Sequence, residues 1–310
     1  MSKLNNSVFN PIKLKNSSSD FLRFILLGIK LKYTIVYIPF LFISFYFYKF
    51  LNPFIYNEGI LSFLLLKFLI IFFILTFCLF NAINSKLIFE RFNGNINYAL
   101  KDSFKFVRSN LQSLILPTLI ISIITTFFLI FLYLLLKITT LDSIGLLVFS
   151  IVYLLCFFIS LVVIFNIFVL IISIFFNSSI FCIYGGDAFT TTFKIFSLAS
   201  SDFFKLIKYS ILNFLISFLF TFFYYFIFAL NYLFINEFFL EKKNYDFLKL
   251  SADSIICNKS IQYNAYIDQI SHSILEFNLL FILFFIVSIF FSLTNVGNFI
   301  SILNMKKYNQ

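Results

Sequence analysis

Long apolar runs separated by short polar segments organise the chain, with the runs at roughly residues 33–50, 60–80, 111–136, 144–176, 206–235 and 275–300. At about 1.5 Å of rise per helical residue, each is long enough to cross roughly 30 Å of hydrocarbon. The pattern predicts an all-α integral membrane bundle of six transmembrane helices. The fourth run has 33 residues, and no Gly or Pro interrupts 146–176. Two spans of about 17 residues would use all of it and leave no turn, so it reads as one long or tilted helix.

Composition agrees with a lipid solvent: 61% of residues are hydrophobic, 12% are charged, and Phe alone occurs 53 times. The opening "MSKLNNSVFNPIKLKNSSSD" is polar and lacks a short apolar core followed by a small-residue cleavage site, so the first span is expected to remain as an uncleaved anchor. The formal charge of +10 would suggest nucleic acid in a soluble protein, but here its placement matters more. Segments 1–32, 81–110, 177–208 and 301–310 hold 16 of the 23 Lys and Arg residues. That alternation predicts both termini cytoplasmic. It also makes the anionic headgroups of the bilayer the expected partner and argues against nucleic acid.

Two polar segments resemble each other. In "GNINYALKDSFKFVRSNLQSLI" and "GGDAFTTTFKIFSLASSDFFKLI", Ala99-Leu100 and Ala188-Phe189 are each followed at the same spacing by Phe-Lys, at 104–105 and 193–194. "SSDFLRFI" from Ser18 matches "SSDFFKLI" from Ser200. The chain therefore reads as three parallel two-span units, at about 1–80, 88–176 and 185–310, each with a cytoplasmic lead-in. Strings shared through AT-rich composition are the alternative. Ile96, Leu100, Phe104, Val107 and Leu111 recur at helical spacing, as do Phe189, Phe193, Phe196 and Ala199. With Lys101, Lys105, Arg108 and Lys194 between them, the lead-ins are expected to be interfacial helices. A Ser-Asp or Ser-Asn pair should cap the following span, and Arg23 or Lys205 should snorkel to phosphate.

The stretches "ERFNGNINYALKDSFKFVRSNLQSLILPTLI" and "GGDAFTTTFKIFSLASSDFFKLIKYSILNFLI", about residues 88–235, resemble the bacterial polytopic membrane proteins of the DUF975 type and the membrane domain of some glycerophosphodiester phosphodiesterases. The resemblance implies a helical membrane module and transfers no catalytic residues.

Candidate chemistry is sparse. His272 is the single histidine, and neither G-x-x-x-x-G-K-[ST] nor G-x-G-x-x-G occurs. Paired-histidine metal sites, Ser-His-Asp triads and nucleotide cradles thus have too few or badly placed members within this chain, and no catalytic, cofactor-binding or metal residue is assigned. Asp268, His272 and Glu276 fall at i, i+4, i+8, a stripe that reads first as a solvated helix face and secondarily as a cation or proton site. Lys67 is expected to snorkel outward. Asn166, Asn213 and Asn231 are expected to hydrogen-bond between helices, and Cys78, Cys156, Cys182 and Cys257 to pack as small apolar residues. Residues 236–273 form an expected extracytoplasmic loop.

These features support a non-catalytic module serving a lipid, envelope or transport process. The alternative is the permease subunit of an ATP-driven exporter, with "NINYALKDSFKFVR" docking into a partner ATPase. A membrane-embedded enzyme is a third class, for which no residue nominates a reaction.

Overall fold

A computed structural model describes residues 24–55, 60–138, 142–238 and 266–308. The described residues are helical almost throughout and include no strand. After a helical stretch at 24–28, the elements are α1 (Leu31–Thr34), α2 (Tyr37–Ile55), α3 (Ile60–Phe92), α4 (Leu100–Ser109), α5 (Leu111–Ile138), α6 (Asp142–Tyr184), α7 (Ala188–Ser201), α8 (Phe203–Phe238) and α9 (Tyr266–Tyr308). Six segments are long and apolar enough to span a membrane: Leu31–Ile55, Leu64–Phe92, Leu111–Lys137, Val152–Tyr184, Phe203–Leu233 and Ser273–Lys306. The protein is an all-α, multi-pass helical membrane bundle.

The 43-residue α6 is a single unbroken helix. Both α3 and α6 run past the ends of their apolar runs, to Phe92 and Tyr184. The residues that terminate the hydropathy are Asn81, Asn84 and Ser85 in α3, and Asn177, Ser178 and Ser179 in α6. All six are buried against neighbouring helices rather than placed at a water boundary.

Contacts fix the helix directions. Cys78 pairs with Ile174 and Ser85 with Ser178, so α3 and α6 run parallel. Phe77 meets Phe291 edge to face and the Phe92 ring lies tilted beside Phe299, so α9 runs parallel to α3. Taken as successive pairs of spans, the second helices, α3, α6 and α9, therefore form a parallel central trio. The first helices run the other way where their pairing is explicit. Tyr37 meets Asn81 while Phe47 meets Phe72, and Leu114 meets Asn177 while Thr118 meets Ser173. The main hydrophobic core lies among the trio, drawing on Ile88, Ile180, Leu293 and Phe299.

Glycines with positive φ close the two central helices whose lead-ins follow directly: Gly94 (φ 91°) after α3 and Gly185 (φ 67°) after α6. Gly185 N–H donates to Phe181 C=O at 2.9 Å, a helix-terminating turn in which a side chain would be strained. The lead-in helices α4 and α7 follow at this same end of the bundle.

Their packing leaves the large rings of the expected stripes, Phe104, Phe189 and Phe193, on the outer face. In α4, Ser103 and Val107 are buried, whereas Ile96, Phe104 and Leu111 are exposed. In α7, Thr191, Thr192, Ile195, Leu198 and Ala199 pack inward against α5 and α6, and Phe189 and Phe193 face outward. Small and β-branched side chains allow a short helix to lie close to two spans, leaving the bulkier rings outside. At the expected cap positions, Asn110 Nδ2 donates back to Phe106 C=O at 2.9 Å, and Asp202 Oδ1 accepts from Lys205 Nζ at 2.9 Å. The cap that does form is Asp187, whose carboxylate accepts from Thr190 N–H at 2.8 Å.

Candidate functional site

Polar side chains of the central trio converge in an interior that is otherwise apolar. Tyr37 on α2 donates from its hydroxyl to Asn81 Oδ1 at 2.5 Å and accepts from Asn295 Nδ2 at 2.8 Å. Asn295 also reaches the Asn81 carbonyl at 3.0 Å, and its Oδ1 accepts from Ser85 Oγ at 3.0 Å. The Ser85 and Ser178 hydroxyls are 3.0 Å apart, bringing in α6. One network thus ties α2, α3, α6 and α9 together, and every member is buried. Asn84, one turn along α3 from Asn81, is fully buried with no hydrogen-bond partner for either amide atom among the described residues.

A second polar seam joins α8 to α9. Asn213 Nδ2 donates to Asn298 Oδ1 at 3.2 Å and to Ser301 Oγ at 3.1 Å. Gly297 makes room for it, since a Cβ there would stand 2.7 Å from Asn213 Cγ. Where the stretch 24–28 crosses α9, Ser292 Oγ donates to Gly28 C=O at 2.7 Å.

At the lead-in end, Lys86 holds α4 against α3. Its Nζ lies 2.6 Å from Glu90 Oε1 and within 5.8 Å of the ring centroids of Phe89, Tyr98 and Phe106. A cation enclosed by rings and a carboxylate is stabilised by the ring quadrupoles as well as by its ion pair. Burial first, then the Glu90 and Asp102 carboxylates, raises the Tyr98 phenol above its ordinary range, so the ring stays neutral. Lys306 similarly donates to Ile183 C=O at 3.1 Å beside the Tyr184 ring, which Lys194 also approaches.

The structure sorts the sequence candidates. Asn213 bonds between helices as expected. Asn166 does not, because its Nδ2 turns to Val162 C=O on its own helix at 3.0 Å. Asn231 is exposed. Asp268, His272 and Glu276 all fall on α9, where Glu276 meets Lys49 of α2 at 3.8 Å. The side chains of Asp268 and His272 lie outside the described residues, as do Arg23, Cys257 and most of the 236–273 loop. Cys78, Cys156 and Cys182 are buried free thiols, and Lys67 is exposed. Among the described residues no three of His, Cys, Asp and Glu group as a metal site would require.

Sequence reading missed Asn81, Ser85, Asn295 and Tyr37. The available signal was Asn-x-x-Asn near the end of two apolar runs, at 81/84 and 295/298. With only neutral amides and hydroxyls, the network can fix helix register and pass hydrogen bonds. It contains no carboxylate or imidazole to carry a proton at neutral pH.

No protein-family model, curated protein or solved structure matches the chain.

Proposed function

We propose that this is a polytopic protein of a bacterial cytoplasmic membrane, with both termini inside, acting as a non-catalytic module in a lipid, envelope or transport process. The reading is carried by the outward face of the lead-ins: Phe104, Phe189 and Phe193 are exposed beside the exposed Lys101, Lys105 and the Tyr184-stacked Lys194. Rings beside cations suit the boundary between acyl chains and anionic headgroups, where each cation contributes about 1 kcal/mol near the surface. The neutral core network fits a scaffold whose parts keep a fixed register.

One observation favours the permease alternative. The free surface of α4 presents Lys101, Asp102, Lys105 and Arg108, a polar face suited to an acidic partner protein. Two measurements on the purified full-length chain separate the readings. Environment-sensitive dyes at positions 104 and 193 should report lipid contact in vesicles of the chain alone, with 101 and 190 reporting water. If 104 and 193 become dry only with a second protein present, and an ATPase co-purifies stoichiometrically in mild detergent, the exporter reading replaces the module.

A further inference from the structure

Two of the three first helices are wedged between parallel members of the central trio: α2 between α3 and α9, and α5 between α6 and α3. The corresponding seat for α8 lies between α9 and α6. α8 packs extensively on α9, but its approach to α6 leaves an apolar cleft of about 370 Å3. Phe168 and Ile172 of α6 face Ile207 and Ile211 of α8 across it, and Thr294 and Asn298 of α9 line its inner side. At one end the cleft meets the Phe168–Phe203 ring pair, whose centroids are 4.6 Å apart.

The geometry points to this cleft as a binding site for one acyl chain of an anionic membrane phospholipid, with Lys208 meeting the phosphate. Three observations select that occupant. First, Ile171, Ile211 and Phe214 at the rim are exposed on a bundle surface whose solvent is hydrocarbon, so the cleft opens sideways to lipid. Its volume lies within the roughly 300–1,000 Å3 of small-molecule sites. Second, of the three polar side chains on its lining, Thr294, Asn298 and Ser210, the two on α9 already have partners. Asn298 Oδ1 accepts from Asn213, its Nδ2 approaches Phe175 C=O, and Thr294 Oγ1 donates to Phe290 C=O. A polar ligand would find little to bind, whereas a hydrocarbon chain requires no hydrogen bond. Third, Lys208 is exposed on α8, adjacent to Ile207 and one turn before Ile211, with no ion-pair partner among the described residues. The neighbouring cation Lys205 is held by Asp202, which leaves Lys208 to meet an anionic headgroup.

The test uses the full-length chain in phosphatidylcholine vesicles containing a minority of phosphatidylglycerol, with a photoreactive group on the acyl chain of the phosphatidylglycerol. Adducts mapped by mass spectrometry should accumulate at Phe175 and Ile211 severalfold above Ile123, an exposed position on α5. Ile211→Trp should reduce that excess to the Ile123 level while helicity and elution volume stay unchanged. Ile171→Trp, from the opposite wall, should do the same and serves where Ile211→Trp fails to fold. Lys208→Gln should lower the preference for phosphatidylglycerol over phosphatidylcholine by about fivefold, the factor corresponding to one surface cation. Equal labelling at Ile211 and Ile123, or labelling unchanged by both Trp variants, overturns the site. A lipid preference unmoved by Lys208→Gln overturns the headgroup assignment. A photoreactive residue in place of Ile211 that yields chain-to-chain crosslinks and no lipid adducts would give the cleft to a second copy and overturn the lipid site.

Discussion

Ser85 donates a hydrogen bond to Asn295 at 3.0 Å, joining α3 to α9 across 210 positions of sequence. Ser85 lies just past the apolar run 60–80 and Asn295 inside the run 275–300, yet both sit within long continuous helices, and the bond fixes their relative register.

Replacing Asn295 with Leu should therefore be costly, since it removes at once its bonds to Tyr37, Asn81 and Ser85, leaving Tyr37 bonded to Asn81 and Ser85 to Ser178. A loss of about 1–3 kcal/mol is expected, at or above the upper range for interhelical bonds in bilayers. Asn84→Leu should be neutral or stabilising, because it removes two buried polar atoms that lack partners. Reversible unfolding in mixed micelles would compare the two; an equal loss from both would show that polarity itself, not the network, matters.

Gly297→Ala should destabilise by about 1–3 kcal/mol, because the new methyl meets the Asn213 carboxamide that two hydrogen bonds pin in place. Asn213→Ala in the Gly297→Ala background should recover part of that loss. Thermal unfolding of the solubilised protein reads both, and strict additivity would rule out the close approach as the cause.

Lys86→Met should release α4 from α3. Cysteines introduced at position 101 or 105 and titrated with a membrane-impermeant maleimide should then react at altered rates, while thiol reporters on α5 stay unchanged. Adding Glu90→Gln should restore part of the packing by removing the carboxylate left without its cation.

Asp187 caps α7, and the Thr190 N–H bond holds its carboxyl below the usual carboxylate range. A carboxyl depressed on folding contributes above its unfolded value and loses that contribution as pH falls through the folded one. Asp187→Ala should accordingly speed amide exchange in the first turn of α7 at neutral pH, and the difference from the natural residue should vanish in strong acid. A difference that persists there would assign the effect to something other than the charged cap.

Reporter fusions after Asn57, Asp142 and Lys259 should read as outside, and those after Asn93, Gly186 and Lys307 as inside. A reversal within either set would overturn the proposed orientation.

The sequence by itself determined the class, the number of spans and the unity of α6, because hydrocarbon admits only helices or closed barrels and runs of this length and character can be read directly. It also located both lead-ins, through the repeated Phe-Lys spacing at 104–105 and 193–194, but not all the residues by which they pack, such as Ser103 in α4 and Thr191 and Ile195 in α7. Which polar residues sit in water and which are buried was not legible. Asn81 and Asn177 look like span ends in a hydropathy pattern, yet in the bundle they face other helices. Only tertiary packing decided that, because burial of an amide depends on a partner supplied from far along the chain, Tyr37 and Asn295 for Asn81 and the Leu114 carbonyl for Asn177. The cleft between α6 and α8 has the same origin: Ile207 and Ile211 resemble any lipid-facing pair until α9 holds α8 beside α6 and leaves the gap between them.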